Sequence, residues 1–174
     1  CDVAAALAAL EVVGALVLPD HAGDGVEQDF AQALSWLKKG ADQGLERSIY
    51  TLGKMYSYGL SVDAGPRRAF ALFLEAAKKG NVRAQYNLGK MYRDGMGTDA
   101  SFKNAVMWYK RAAQQGYAKA QFNLGKMYTK GEGVPRDDKE AVKWYRKAAE
   151  QGYALAQYNL AAMYYNGEGI PRDY

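Results

Sequence analysis

Tyr117–Gly152 reads YAKAQFNLGKMYTKGEGVPRDDKEAVKWYRKAAEQG, and every other segment of the chain is a closer or looser copy of it. Its L-G-K-M-Y centre, Leu124–Tyr128, recurs at Leu52–Tyr56 and Leu88–Tyr92 and relaxes to L-A-A-M-Y at Leu160–Tyr164. The step is 36 residues each time, and Gly44, Gly80, Gly116 and Gly152 keep it. A constant step without insertions marks an array of stacked units, each burying its apolar side against the next.

Within a copy, two helical patterns follow one another. In the first, Val82–Asp94, the residues Ala84, Leu88, Met91 and Tyr92 fall on one side at helical spacing and predict a buried stripe. Gly53, Gly89 and Gly125 lie inside that stripe. Glycine costs about 1 kcal/mol in a helix interior, so its return in each copy predicts close approach of a large side chain from a neighbouring helix. The turns Gly95/Gly97, Gly131/Gly133 and Gly167/Gly169 supply the backbone freedom for a reversal. They are not phosphate loops, because no strand pattern precedes them and no Lys-Ser/Thr follows.

The second pattern opens on helix-start residues: Asp29 with Gln32, Gly65-Pro66, Ser101, and Asp137 with Glu140. It continues through Ala33, Ala69, Ala105 and Ala141, then Trp36, Leu72, Trp108 and Trp144, then the pairs Ala76-Ala77, Ala112-Ala113 and Ala148-Ala149. Alternation of large and small along one face places the Trp row in the core. Lys39-Gly40 and Gln115-Gly116 read as stop signals, with Gly44, Gly80, Gly116 and Gly152 as C-terminal caps.

The expected fold is therefore all-α, with two parts. Residues 29–174 form the regular array, and residues 1–28 form a degenerate N-terminal half-copy, a helix stopping near Leu18 that caps the stack. Val3–Leu18 is apolar apart from Glu11, yet shorter than the roughly 20 residues a membrane span requires. The last residues, Pro171–Tyr174, stand where the preceding copy runs on into a helix, so the sequence reads as a piece of a longer protein. Cys1 followed by Asp2 resembles the processed end of a bacterial lipoprotein and makes Cys1 a candidate site of lipidation.

Composition narrows the function. The 174 residues are 49% apolar and 24% charged, with a net charge of +4 and both signs interspersed. Such a balance lacks the concentrated basic face of a nucleic-acid binder. One cysteine and one histidine exclude an internal disulfide and a Cys/His metal set, and no cofactor motif is present.

L-G-x-M-Y, G-x-G-V-P-x-D and A-V-x-W-Y-x-x-A-A-x-Q-G at this period resemble the Sel-one-like repeat family, a branch of the tetratricopeptide-like helical repeats. The resemblance is strong over Asp29–Tyr174 and weak before it. It implies a right-handed α-solenoid of antiparallel helix pairs, with the first helices lining the concave side. It further implies a non-enzymatic adaptor or scaffold for a protein or peptide partner, and a bacterial envelope or periplasmic setting in preference to the cytoplasm.

On that footing the outward positions of the first helices are the candidate binding residues. They form rows one copy apart: Arg47, Arg83 and Lys119; Tyr50, Tyr86, Phe122 and Tyr158; Asn87, Asn123 and Asn159; Lys54, Lys90 and Lys126. Cations beside aromatics and amides suit a peptide carrying carboxylates. Single-stranded nucleic acid would use the same groups, but the small net charge disfavours it. The basic rows fade at the last copy, where Leu155 and Ala162 take their places. An architectural spacer within a longer solenoid is the alternative. A third reading, a β-lactamase or penicillin-binding enzyme, rests only on Ser35 and Lys38 as S-x-x-K, without the accompanying S-D-N or K-T-G, and without the cysteine pairs of the family members that have carried that label. Self-association through an exposed solenoid end, at Met163 and Tyr164, is a further expectation.

Overall fold

A computed structural model describes residues 30–59 and 65–169. The half-copy at 1–28, with Cys1 and the helix end near Leu18, and the Asp29 cap lie outside the described residues. Among the described residues, eight helices of 13 residues each follow in order: α1 (Phe30–Asp42), α2 (Glu46–Tyr58), α3 (Pro66–Lys78), α4 (Val82–Asp94), α5 (Phe102–Gln114), α6 (Ala118–Lys130), α7 (Asp138–Glu150) and α8 (Ala154–Asn166). The even-numbered helices are the first helices of successive copies and the odd-numbered ones the second. Each packs chiefly on the helices before and after it in the chain, which is the contact pattern of a solenoid.

The helix ends follow from their residues. Ser101 and Asp137 accept from the amides of Asn104 (3.3 Å) and Glu140 (3.0 Å), and Gly65-Pro66 opens α3. At the other end of α5, the Tyr117 amide donates to the Ala112 carbonyl (3.1 Å) and the Gly116 amide to that of Ala113 (3.0 Å). This pair of bonds requires a left-handed residue, and Gly116 has φ 86°. Gly40 does not stop α1, which runs on to Asp42. It stands one period before Ala76 and two before Ala112, in a slot where the Ser48 side chain leaves no room for a Cβ. The second glycine of each reversal has a different duty: Gly97, Gly133 and Gly169 press on the backbone at Pro66, Phe102 and Asp138, the first turn of the second helix one copy earlier.

Large side chains do cover the stripe glycines, but they come from the residue after the Trp row. A Cβ on Gly89 would stand 2.5 Å from Tyr109, one on Gly125 2.8 Å from Tyr145 and one on Gly53 2.9 Å from Phe73. Trp108, by contrast, is buried among Leu88, Met91 and Phe73 on the side of the preceding copy. Trp36 departs from the expected core placement: it is 66% exposed, with the Lys39 ammonium 4.2 Å from the ring centroid. It belongs to the first described helix, so the preceding copy that buries Trp108 has no described counterpart there.

Two buried glutamines tie copies together. Gln85 donates to the Ala77 carbonyl (3.2 Å) and accepts from Gln115 (2.7 Å). One period on, Gln121 donates to the Ala113 carbonyl (3.1 Å) and accepts from Gln151 (2.8 Å). Each side chain thus bridges the end of one second helix to the end of the next, and its burial is matched by hydrogen bonds.

Candidate functional site

Helix phase sorts the candidate rows by depth. Arg47, Arg83 and Lys119 are exposed on α2, α4 and α6, while Lys54, Lys90 and Lys126 are half-buried one turn or more further along. Beside the rows, Arg93 pairs with Asp94, Lys130 with Glu132, Arg136 with Asp138, and Lys143 with Glu140. Lys126 instead lies 5.7 Å above the Phe122 ring.

The aromatic row is mostly structural. Tyr86 packs on Tyr109 and Tyr117 with centroids 5.8 and 5.2 Å apart, and Phe122 on Tyr145 and Tyr153 at 5.7 and 5.3 Å. Tyr50 meets Phe73 at 5.7 Å. Phe122, 9% exposed, belongs to the core and offers little to a ligand, whereas Tyr158 is 74% exposed. The asparagines are partly engaged too. Asn87 and Asn123 lie within hydrogen-bonding reach of the Tyr50 and Tyr86 hydroxyls, and Asn159 of that of Tyr145. Burial pushes the pKa of Tyr50 and Tyr86 above the phenol norm.

Between α4 and α6, floored by α5, lies an open cavity of about 460 Å³. Asn123 and Lys126 of the candidate rows line it, together with Asp94 and with residues the sequence reading did not place there: Arg93, Phe102, Tyr109, Met127, Lys130 and Glu132. Arg93 forks onto Asp94 with bonds of 2.6 and 2.8 Å, which holds that carboxyl below its usual range. No sequence signal distinguishes Arg93, because its counterpart one period later is Thr129.

At the end of α8, Met163 is buried in the core with Tyr145 and Ala156, and Tyr164 accepts a hydrogen bond from Arg146. The exposed apolar surface there is Leu155, Tyr158, Tyr164 and Tyr165, so of the expected edge Tyr164 lies on it and Met163 does not. Ser35 and Lys38 are exposed on α1.

The stacked pairs and their period agree with a family model. The Sel1 repeat model matches residues 20–45, 47–81, 82–117, 118–153 and 154–174. The chain belongs to the Sel1 repeat family. Among solved structures, this Sel1 array is similar to a protective antigen of uropathogenic Escherichia coli displaying an SLR fold, with TM-score 0.84 and 37% identity over 98% of this chain and 34% of that one. A Sel1 repeat protein from Oxalobacter formigenes gives 0.81 and 31%, over 97% of this chain and 65% of that one. Cysteine-rich protein B of Helicobacter pylori shares the fold, with TM-score 0.58 and 21% identity over 78% of this chain and 97% of that one. The chain thus spans 34% of the length of the first and 65% of the second. No curated protein matches it in sequence. Sel1 repeat proteins are generally protein-interaction scaffolds and generally not enzymes.

Proposed function

We propose that this Sel1 array binds an acidic peptide segment of a protein partner along the face of α2, α4 and α6. The observation that carries the reading is the register of the cations. Arg47, Arg83 and Lys119, and likewise Lys54, Lys90 and Lys126, return at one-copy intervals on alternate helices of the stack. A peptide laid across these helices meets a positive charge at each step, and the half-buried lysines act in a setting less screened than open water.

The test is capture of partners from the source organism's soluble and envelope fractions by the chain and by a variant carrying Lys54→Glu, Lys90→Glu and Lys126→Glu. Partners held by the first and lost by the second, at a melting temperature within a few degrees of the parent, support the reading. Retention by the variant overturns it. If neither chain captures anything, the alternative of a spacer within a longer solenoid takes its place.

A further inference from the structure

The cleft between α4 and α6 contains a polar group that the fold itself leaves unpaired. Tyr109 is fully buried, and its hydroxyl has no hydrogen-bond partner. Packing does not call for that hydroxyl, since Phe73 fills the same place over Gly53 one copy earlier. One copy later, the hydroxyl of Tyr145 has Thr129 and Asn159 in reach. In the Tyr109 copy the position of Thr129 is taken by Arg93, whose guanidinium is turned onto Asp94. The phenol is left beside a charged pair with nothing to donate to.

Burial raises the Tyr109 pKa far above that of an ordinary phenol, so the group stays protonated and remains a donor. What the hydroxyl lacks is an acceptor, since the Asp94 and Glu132 carboxylates of the same lining are turned to Arg93 and Lys130. Lys126 and Lys130 line the same cavity and Phe102 stands in its wall. Glu132 holds Lys130 at 3.6 Å, an exposed pair that competes weakly with an incoming anion. One neutral donor, two ammonium groups and an apolar wall are complementary to a carboxylate on a short carbon stem.

We infer that this cleft is a subsite for a single peptide carboxylate, received by the Tyr109 hydroxyl at its base and by Lys126 and Lys130 at its mouth. The inference rests on the acidic-peptide reading above and adds the place where one carboxylate is held. Both an acidic side chain and a chain terminus present this chemistry.

Three tetrapeptides separate the sources: acetyl-Ala-Ala-Glu-Leu-amide, acetyl-Ala-Ala-Gln-Leu with a free C-terminal carboxylate, and acetyl-Ala-Ala-Gln-Leu-amide as the neutral control. They are titrated into the chain labelled with carbon-13 at the tyrosine ζ position, and into its Tyr109→Phe variant. The expected result is binding of a carboxylate peptide with a shift of the Tyr109 resonance, no binding of the neutral peptide, and affinity about tenfold weaker in the variant, as for loss of a hydrogen bond to a charged group. The melting temperature of the variant should equal or exceed the parent's. The subsite is overturned if no carboxylate peptide binds, if the neutral one binds equally, or if Tyr109→Phe leaves affinity unchanged. A peptide bound alike by the parent and Tyr109→Phe but lost in the triple glutamate variant removes the subsite and leaves the face reading standing. Binding alike to all three removes both.

Discussion

Phe73, Tyr109 and Tyr145 occupy one slot in three copies, and each lies over a helix glycine. The slot therefore separates what a ring contributes from what a hydroxyl contributes. Tyr145→Phe should lose more unfolding free energy than Tyr109→Phe, up to about 1 kcal/mol, because Thr129 and Asn159 are in reach of the Tyr145 hydroxyl and that of Tyr109 has no partner. Urea unfolding of the two variants beside the parent measures the difference. The glycine beneath reverses a familiar rule. Alanine in a helix interior normally gains about 1 kcal/mol over glycine, yet Gly125→Ala should cost about 1–3 kcal/mol through overpacking against Tyr145, read from the same urea curves. Which aromatic would cover these glycines was not legible from the chain. Trp108 and Tyr109 are adjacent, both on the apolar side of their helix, and pattern alone does not say which points to its own pair and which to the copy before. Tyr109's lack of a partner was less legible still, since it depends on where Arg93 turns.

At the scale of the element, the spans were readable because both ends carry chemistry. Val82–Asp94 is bounded in the structure by Asn81, whose side chain accepts from the Ala84 amide (2.8 Å), and by Gly95 at φ 69°. Gly40 misled because a small residue serves tight packing as well as it serves a cap, and composition does not separate the two. The glutamine bridges were overlooked for a related reason: Gln85 and Gln121 sit beside the apolar stripe, where a polar residue reads as its outer edge. They predict a coupled effect. Gln121→Ala should cost about 1–3 kcal/mol by leaving buried polar groups short of a partner. Adding Gln151→Ala should cost less than the sum of the two single changes, and a double-mutant cycle on unfolding free energies measures that coupling.

At the scale of the whole molecule, the period alone sufficed to foresee stacked helix pairs, because a constant step leaves each copy only its neighbours to pack on. The cation rows were legible by the same arithmetic, whereas the cavity was not, since its lining mixes repeating positions with unrepeated ones such as Arg93. The buried tyrosines give the array a shared response to alkali. Tyr50, Tyr86, Tyr109, Tyr117 and Tyr145 all have a pKa raised above 10.0, with burial the largest cause. A raised folded pKa means that the folded chain keeps a proton the unfolded chain releases. Their contribution is therefore whole below about pH 10 and is lost as the pH climbs beyond it. The urea midpoint should be insensitive to tyrosine ionisation at neutral pH and fall above about pH 10, with tyrosinate absorbance rising in step with unfolding.

Neighbour-only packing in a single phase also bears on how such a chain can change across generations. Excising one whole unit between two equivalent residues, for instance from Leu88 up to Leu124, joins a surface to another already shaped for the same kind of contact. Duplication by unequal exchange does the same in reverse. Slips that are not multiples of the unit put glycines opposite the wrong rings and are removed by misfolding. The gene can therefore lengthen or shorten in whole steps while a single odd copy, such as the one holding Tyr109 and Arg93, keeps its own chemistry and merely moves along the row.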